Sequence, residues 1–263
     1  MSPFDQLLTK AKHKNPFIID NSWSQGRTVF GGLSASLLVH AMYNELTDQR
    51  PLRVVNINFI GPLFTDQEAV IEVEHLRDGK NVTHMMARFI QDGNVCVSAQ
   101  ACFAKERQSK VKVECNDRWS GKQASDGKTV PRIPKVTPKF IKHIDLCKLA
   151  GGWPFTGSKD SHITGWMKFR ETPQQLSHAH IVALIDAWWP AILQMLRWPK
   201  PSSTLSWQLE LLEPEHQLGA EEWLAYHTET IQAEHGYGHS EAKIYAADGT
   251  LIALSRQTDT VFD

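Results

Sequence analysis

Residues 34–46 read SASLLVHAMYNEL, and this stretch, taken with the four apolar runs after it, decides the fold. Its apolar residues fall at helical spacing. It is preceded by Gly31-Gly32, which suits a tight approach into a helix. After it the period changes. Strand-like runs cover residues 52–60, 69–76, 82–90 and 95–103, separated by Gly61-Pro62, Arg77-Asp78-Gly79 and Asp92-Gly93-Asn94. Asp-Gly between two β runs is a hairpin signal. One helix followed by an antiparallel meander predicts a helix wrapped in a sheet.

The second half repeats the plan. Residues 162–170 (HITGWMKFR) are strand-like, and residues 180–196 (HIVALIDAWWPAILQML) are predicted as a helix bent near Pro190. Strand runs come next at 204–212, 222–233, 240–245 and 251–256, with Asp248-Gly249 before the last. From about residue 105 to 139 the chain turns rich in charge, Ser, Gly and Pro, which predicts a linker with one docked strand. The expected division is a first unit at 1–106, a linker at 107–139 and a second unit at 140–263. The halves can be laid over each other: LLVHAMY on ALIDAWW sets His40 against Asp186, NINFIGP falls on QLELLEP, and DGNVCVSAQA on DGTLIALSRQ sets Ala101 against Gln257. Order is kept more than identity. Two such units could join their sheets side by side, with the central helices near one another, which makes the expected class α+β.

Composition narrows the function. The chain has 263 residues, 41% apolar and 22% charged, enough for a real core. A formal net charge of −1 gives no electrostatic case for nucleic acid or an anionic membrane as principal partner. No apolar run approaches the roughly 20 residues that span a bilayer. The opening MSPFDQLLTKAKHKNPF lacks an apolar signal core, so a cytoplasmic location is expected. The four cysteines, Cys96, Cys102, Cys115 and Cys147, form no C-x-x-C pair and are expected as small buried hydrophobes in a reducing compartment. His178 with His180, and His235 with His239, lack a third ligand, so no metal is expected. No G-x-S-x-G elbow and no G-x-x-x-x-G-K-[ST] phosphate loop occurs.

Asp186 is the most informative residue. It is the only Asp, Glu, Lys or Arg from residue 177 through 196. An unpaired ionised carboxylate there is costly, so it should be hydrogen-bonded, protonated or facing a cavity. It is either a base that orients water or a structural acid bonding a backbone amide or the N–H of Trp188 or Trp189. Thr204 opens an alternating run in which Leu205, Trp207, Leu209 and Leu211 face one way, and Thr204, Ser206, Gln208 and Glu210 the other. Such a threonine is usually solvated. Gln257 ends the last run, a place usual for a surface residue. Free N–H groups at Gly31 and Gly32 would face a carbonyl oxygen or an oxyanion; otherwise these glycines serve close packing.

In this order, GRTVFGGLSASLLVHAM, the EHLRDGKNVTHMMARFIQDG hairpin, ALIDAWWPA and DGTLIALSRQ resemble the type II acyl-CoA thioesterase family and its thioesterase-like relatives. The resemblance runs over nearly the whole chain and implies a double hotdog fold. It implies a water held by an Asp on the second central helix, a hydroxyl at the start of the next long strand and a Gln late in the last. These fall on Asp186, Thr204 and Gln257. Pro214 sets the register for Thr204, with Ser203 or Ser206 a small slip away. The family's glycine turn falls on Gly31 and Gly32. His40 and Ala101 at the matching first-half positions imply no working copy there. The resemblance further implies acyl-CoA as substrate, an acyl chain between the central helices against Leu37, Leu38, Trp188 and Trp189, no cofactor, and a homodimer or higher homo-oligomer. The rival expectation is a non-catalytic protein of the same fold that binds acyl-CoA or a fatty acyl chain. A hydratase would want an acid beside His40, and the sequence offers no evident one.

Overall fold

The computed structural model describes residues 1–262. Helix α1 (Pro3–Lys10) and the short strands β1 (Phe17–Ile18), β2 (Ser24–Gln25) and β3 (Thr28–Val29) lead into helix α2 (Gly31–Glu45). Strands β4 (Leu52–Phe59), β5 (Glu68–Asp78), β6 (Val82–Gln91) and β7 (Asn94–Ala104) complete the first half. The second half holds β8 (Lys128–Thr129), β9 (Ile144–Ala150), β10 (His162–Phe169), helix α3 (His178–Ile185), β11 (Ser202–Leu211), β12 (Leu224–Glu234), β13 (Tyr237–Tyr245) and β14 (Leu251–Val261).

Twelve strands form one antiparallel sheet in the order β1-β5-β6-β7-β4-β11-β14-β13-β12-β10-β9-β8. The halves meet edge to edge at β4 and β11, from Val54 opposite Glu210 to Asn58 opposite Ser206. Both meanders use the same register. Val55 pairs with Ala101 in the first, and Trp207 pairs with Gln257 in the second. Each of these β4 and β11 residues precedes a proline, Pro62 or Pro214, by the same interval. The overlay of Ala101 on Gln257 is thus reproduced by the ladders.

The core lies on one face of this sheet, around α2. Leu33, Leu37, Leu38, Val39 and Met42 are fully buried, and they meet Val55, Ile57, Met85 and Phe103 from the strands. Apolar burial on this scale is the main stabilising term, at about 25 cal/mol per Å². The two helices cross closely because α2 begins with glycines. A Cβ on Gly32 would lie 2.8 Å from the Ala183 carbonyl oxygen and 2.6 Å from the Phe30 ring. Backbone contact of this kind excludes any side chain.

Three features differ from expectation. First, α3 ends at Ile185, and the residues expected to continue it to 196 instead turn and form a short 3₁₀ segment at Ala191–Gln194. Trp188 explains the break: its ring stacks on Tyr226 and fills the space where a Cβ on Gly165 would lie, 2.5 Å away. Second, the segment between the halves is docked onto the second. Besides β8 on β9, Asp117 accepts bonds from Lys243 and from the Tyr245 hydroxyl, and Trp119 packs on Trp166. Third, Cys96 and Cys147 are buried, but Cys102 is half-buried and Cys115 is exposed, so the last is not the buried hydrophobe expected. Among the described residues, no helix is long and apolar enough to cross a membrane. None of the described His, Cys, Asp and Glu residues gather in threes as a metal site requires.

Candidate active site

Asp186 caps the C-terminal end of α3, with φ −83° and ψ 1°. That end of a helix disfavours a negative charge. The start of α2 stands opposite and acts the other way. Phe30 provides no side-chain cap there, so the first N–H groups of α2 have no capping side chain of their own. The Gly32 N–H is turned toward the Asp186 carboxyl in loose geometry and favours its ionised form. Gly31 is close as well: a Cβ built on it would be 2.9 Å from Asp186 Oδ2 and 3.2 Å from the Phe59 ring.

Gln257 supplies the strongest contact, since its Nε2 donates to Asp186 Oδ1 at 2.8 Å. The carboxylate acceptor fixes which end of the amide faces it. Burial, the largest effect, pushes the Asp186 pKa up to about 7; the Gln257 amide opposes this, the nearby Asp259 carboxyl adds to it, and Gly32 opposes it. Yet Asp186 as a residue is only half-buried, and so are Gly31, Phe59, Trp189, Thr204 and Gln257. The acid is therefore poised near neutrality in a residue that keeps part of its surface exposed. Carboxyls tuned in this way are suited to proton transfer at neutral pH.

No hydrogen bond joins the Thr204 side chain to either of these residues. Its Oγ1 donates to Asp259 Oδ1 at 2.7 Å. A β-bulge accounts for its direction. Thr204 pairs with Asp259 and Ser206 with Thr258, so Leu205 is the extra residue on β11. The bulge turns Thr204 to the same face as Trp207, opposite to the alternation read from the sequence. Ser206 and Ser203 pair with Thr258 and Thr260, on the outer face, so of the three hydroxyls only Thr204 faces the core side. Gln257 is the diagonal neighbour of Thr204 across the ladder, a spacing of roughly 7–8 Å or somewhat less between Cβ atoms in regular sheets.

Strand β14 also runs further than expected, through Val261, so Gln257 is mid-strand and not terminal. Three residues on its inner face are polar. Ser255 accepts from Trp207 Nε1 at 2.8 Å, Gln257 donates to Asp186, and Asp259 accepts from Thr204. Sequence reasoning does not single out Asp259. It is 1% exposed, and burial pushes its pKa up to about 6 against the pull of Thr204 and His239. Alternation carried two residues past Gln257 is the signal that finds it.

Of the four residues expected along the acyl chain, Leu37, Leu38 and Trp188 lie in one buried apolar cluster and Trp189 packs against it. Leu37 and Leu38 are fully packed inside α2's core, where α2 and α3 are in contact. Trp188 is buried against Tyr226, while Trp189 stays half-buried beside Trp153, with ring centroids 5.7 Å apart. The Nε1 atoms of Trp188 and Trp189 are buried without a partner, so neither indole caps the carboxyl. The paired histidines of α3 are spent elsewhere. His178 Nε2 donates to the Pro214 carbonyl at 2.7 Å while its Nδ1 takes the Tyr43 hydroxyl, and His180 bonds Asp5 and Ser177.

Comparison with known proteins adds an independent line. Residues 19–104 match the family model described as the acyl-CoA thioesterase N-terminal domain, and residues 121–261 match the acyl-CoA thioesterase C-terminal domain. The chain is 21% identical over 248 residues to acyl-CoA thioesterase 2 of Haemophilus influenzae, covering 88% of this chain and 86% of that one. A hot dog fold protein of unknown function from Alicyclobacillus acidocaldarius superimposes with a TM-score of 0.81 at 21% identity, over 94% of this chain and 92% of the other. An acyl-CoA thioesterase II from Mycobacterium marinum does so with a TM-score of 0.69 at 19% identity, over 89% and 90%. These structural likenesses establish the double hotdog fold.

Proposed function

The chain belongs to the acyl-CoA thioesterase family, and from that premise we propose that it hydrolyses an acyl-CoA to the free acid and CoA through one water held by Asp186, Thr204 and Gln257. The observation that carries this reading is the Asp186–Gln257 bond at the uncapped start of α2. A purely structural acid would be closed off by donors. This one has a single good donor and a side open to solvent.

The water sits between Asp186, Gln257 and Thr204. It donates one proton toward Asp186 and the other toward Thr204 Oγ1, and it accepts from the second N–H of Gln257. One lone pair then remains, aimed at the thioester carbonyl carbon. As the C–O bond forms, Asp186 takes the proton. The negative charge develops on the carbonyl oxygen, next to the free N–H groups at Gly31 and Gly32 and the positive end of α2. One such donor is worth about 3 kcal/mol in the transition state. The C–S bond then breaks, and the proton on Asp186 is returned to the departing thiolate. No metal or organic cofactor enters these steps. A thioester lying beside the half-buried Phe59 would present its carbonyl to the helix start at Gly31, whose Cβ position is 3.2 Å from that ring.

Thiol release from a panel of acyl-CoAs tests the reading. Wild type should release CoA, and Asp186→Asn should lower kcat at least ~10²-fold while still binding the substrate. Equal turnover in the variant would refute the assignment. Binding by wild type with no thiol release would favour instead a protein that holds acyl-CoA without cleaving it.

A further inference from the structure

Thr204 and Asp259 form a pair that the hydrolytic steps above use only in part. The hydroxyl proton of Thr204 is committed to Asp259 Oδ1 at 2.7 Å. Asp259 is 1% exposed, lies on the same face of β14 as Gln257, and has Asp186 close enough to feel its charge. A free threonine hydroxyl both donates and accepts, and rotates between the two. One whose proton is held by a carboxylate offers only lone pairs to anything else. We propose that Asp259 is a positioning residue of the site: it accepts the hydrogen bond of the Thr204 hydroxyl and so fixes that oxygen as an acceptor toward the attacking water.

The consequence concerns the orientation of the water. Both its protons are directed to acceptors, Asp186 and Thr204, which leaves a lone pair for the carbonyl carbon. If Thr204 donated to the water instead, it would occupy a lone pair and compete with the attack. Burial supports the same view. A buried acid is costly unless its bonds repay it, and here a single short bond to a site residue is what Asp259 has. The groups around it are Thr204 on β11, His239 on β13, Tyr226 on β12 and Asp186 beyond α3, and only His239 contributes positive charge. Two carboxyls therefore share one poorly solvated region, so the ionisation of one raises the other.

This inference rests on the water-holding role of Asp186, Thr204 and Gln257, and a double-mutant cycle separates the two. Asp259→Asn should lower kcat about tenfold with KM unchanged. In a Thr204→Val background the same change should cost less than about twofold, because the hydroxyl it acts on is gone. The acid limb of the kcat/KM profile should also move to lower pH in Asp259→Asn, since Asp186 loses a neighbouring negative charge. That shift reports the charge alone, so the cycle with Thr204→Val is the readout that separates positioning from a merely structural role. Full activity in Asp259→Asn, or an equal loss in both backgrounds, would overturn the proposal while wild-type thioester hydrolysis and the Asp186→Asn defect stood. Loss of activity in wild type would instead sink the reading of the site itself. Should Asp259→Asn fold poorly, as judged by its melting profile, Asp259→Ser carries the same cycle with a smaller neutral side chain.

Discussion

Replacing Asp186 with Asn should make the protein more resistant to heat at alkaline pH, although it removes most turnover. In the unfolded chain this carboxyl titrates near 3.8, and in the folded protein it is pushed up to about 7. Between those values the unfolded chain has lost its proton and the folded one keeps it. Stability therefore falls as pH rises through the window, and the full loss is reached once pH passes the folded value. A separation of about three units corresponds to ~4 kcal/mol at 1.36 kcal/mol per unit. Solvent reaches the half-buried residue and screens it, so about 1–3 kcal/mol should be readable between pH 5 and pH 8. Asn has no such titration. At about 2–4 °C per kcal/mol for a chain of this size, the wild type should lose ~5 °C of Tm relative to the variant over that interval. The assay is a series of thermal melts of both proteins in matched buffers from pH 5 to pH 8.5. Parallel curves would show that the carboxyl titrates normally in the fold, and the argument for a base poised near neutrality would go with them.

The two glycines at the start of α2 should behave differently from each other. Gly31→Ala puts its Cβ 2.9 Å from Asp186 Oδ2, and a side chain can give way. Its cost should fall on kcat, about tenfold for a displaced catalytic group, with Tm little changed. Gly32→Ala meets the Ala183 backbone carbonyl at 2.8 Å, which cannot give way, so its main cost should be in Tm. Differential scanning calorimetry beside thiol-release kinetics would separate the two. Tyr43→Phe removes the acceptor for the Leu52 N–H, which it bonds at 2.6 Å, and the partner of His178. It should lose about 1–3 kcal/mol in denaturant titration, with kcat retained.

Periodicity explains which parts of the fold are legible in the sequence. After α2 the period changes from 3.6 to 2, the Asp-Gly turns then punctuate the strands, and the helix and its four long strands can be read to within a few residues. The end of α3 cannot. Its neighbours are apolar on every side, so no stripe fades where the helix stops, and Pro190 marks the break later than the packing of Trp188 imposes it. Helix α1 escapes notice despite Ser2, whose side chain caps it by accepting from the Asp5 N–H, and the acidic residue in its first turn. In the site, Asp186 is conspicuous because a lone acid in an apolar helix is expensive. Thr204 falls on the wrong face because strict alternation takes no account of a bulge, and Leu205 supplies one. Asp259 is hidden because three inward polar residues on β14 disguise a buried strand as a surface one.

The pseudo-repeat also explains why one end of the helix pair is suited to chemistry. Wherever two such units join, the start of each central helix meets the end of the other. At one junction Gly31 and Gly32 meet Asp186. At the other, His178 at the start of α3 meets Tyr43 near the end of α2. The polar groups of the second junction are spent: the Tyr43 oxygen accepts the Leu52 N–H and bonds His178 Nδ1, whose other nitrogen donates to the Pro214 carbonyl. By the matching ladders, Leu52 and Ala101 stand in the first half where the second has Thr204 and Gln257. A site needs polar groups that the fold has not already satisfied. At the Asp186 end the helix start is uncapped, the acid has one strong donor, and solvent reaches both. Hydrolysis at one junction and cross-bracing at the other is the division of labour that this distribution of unsatisfied groups supports.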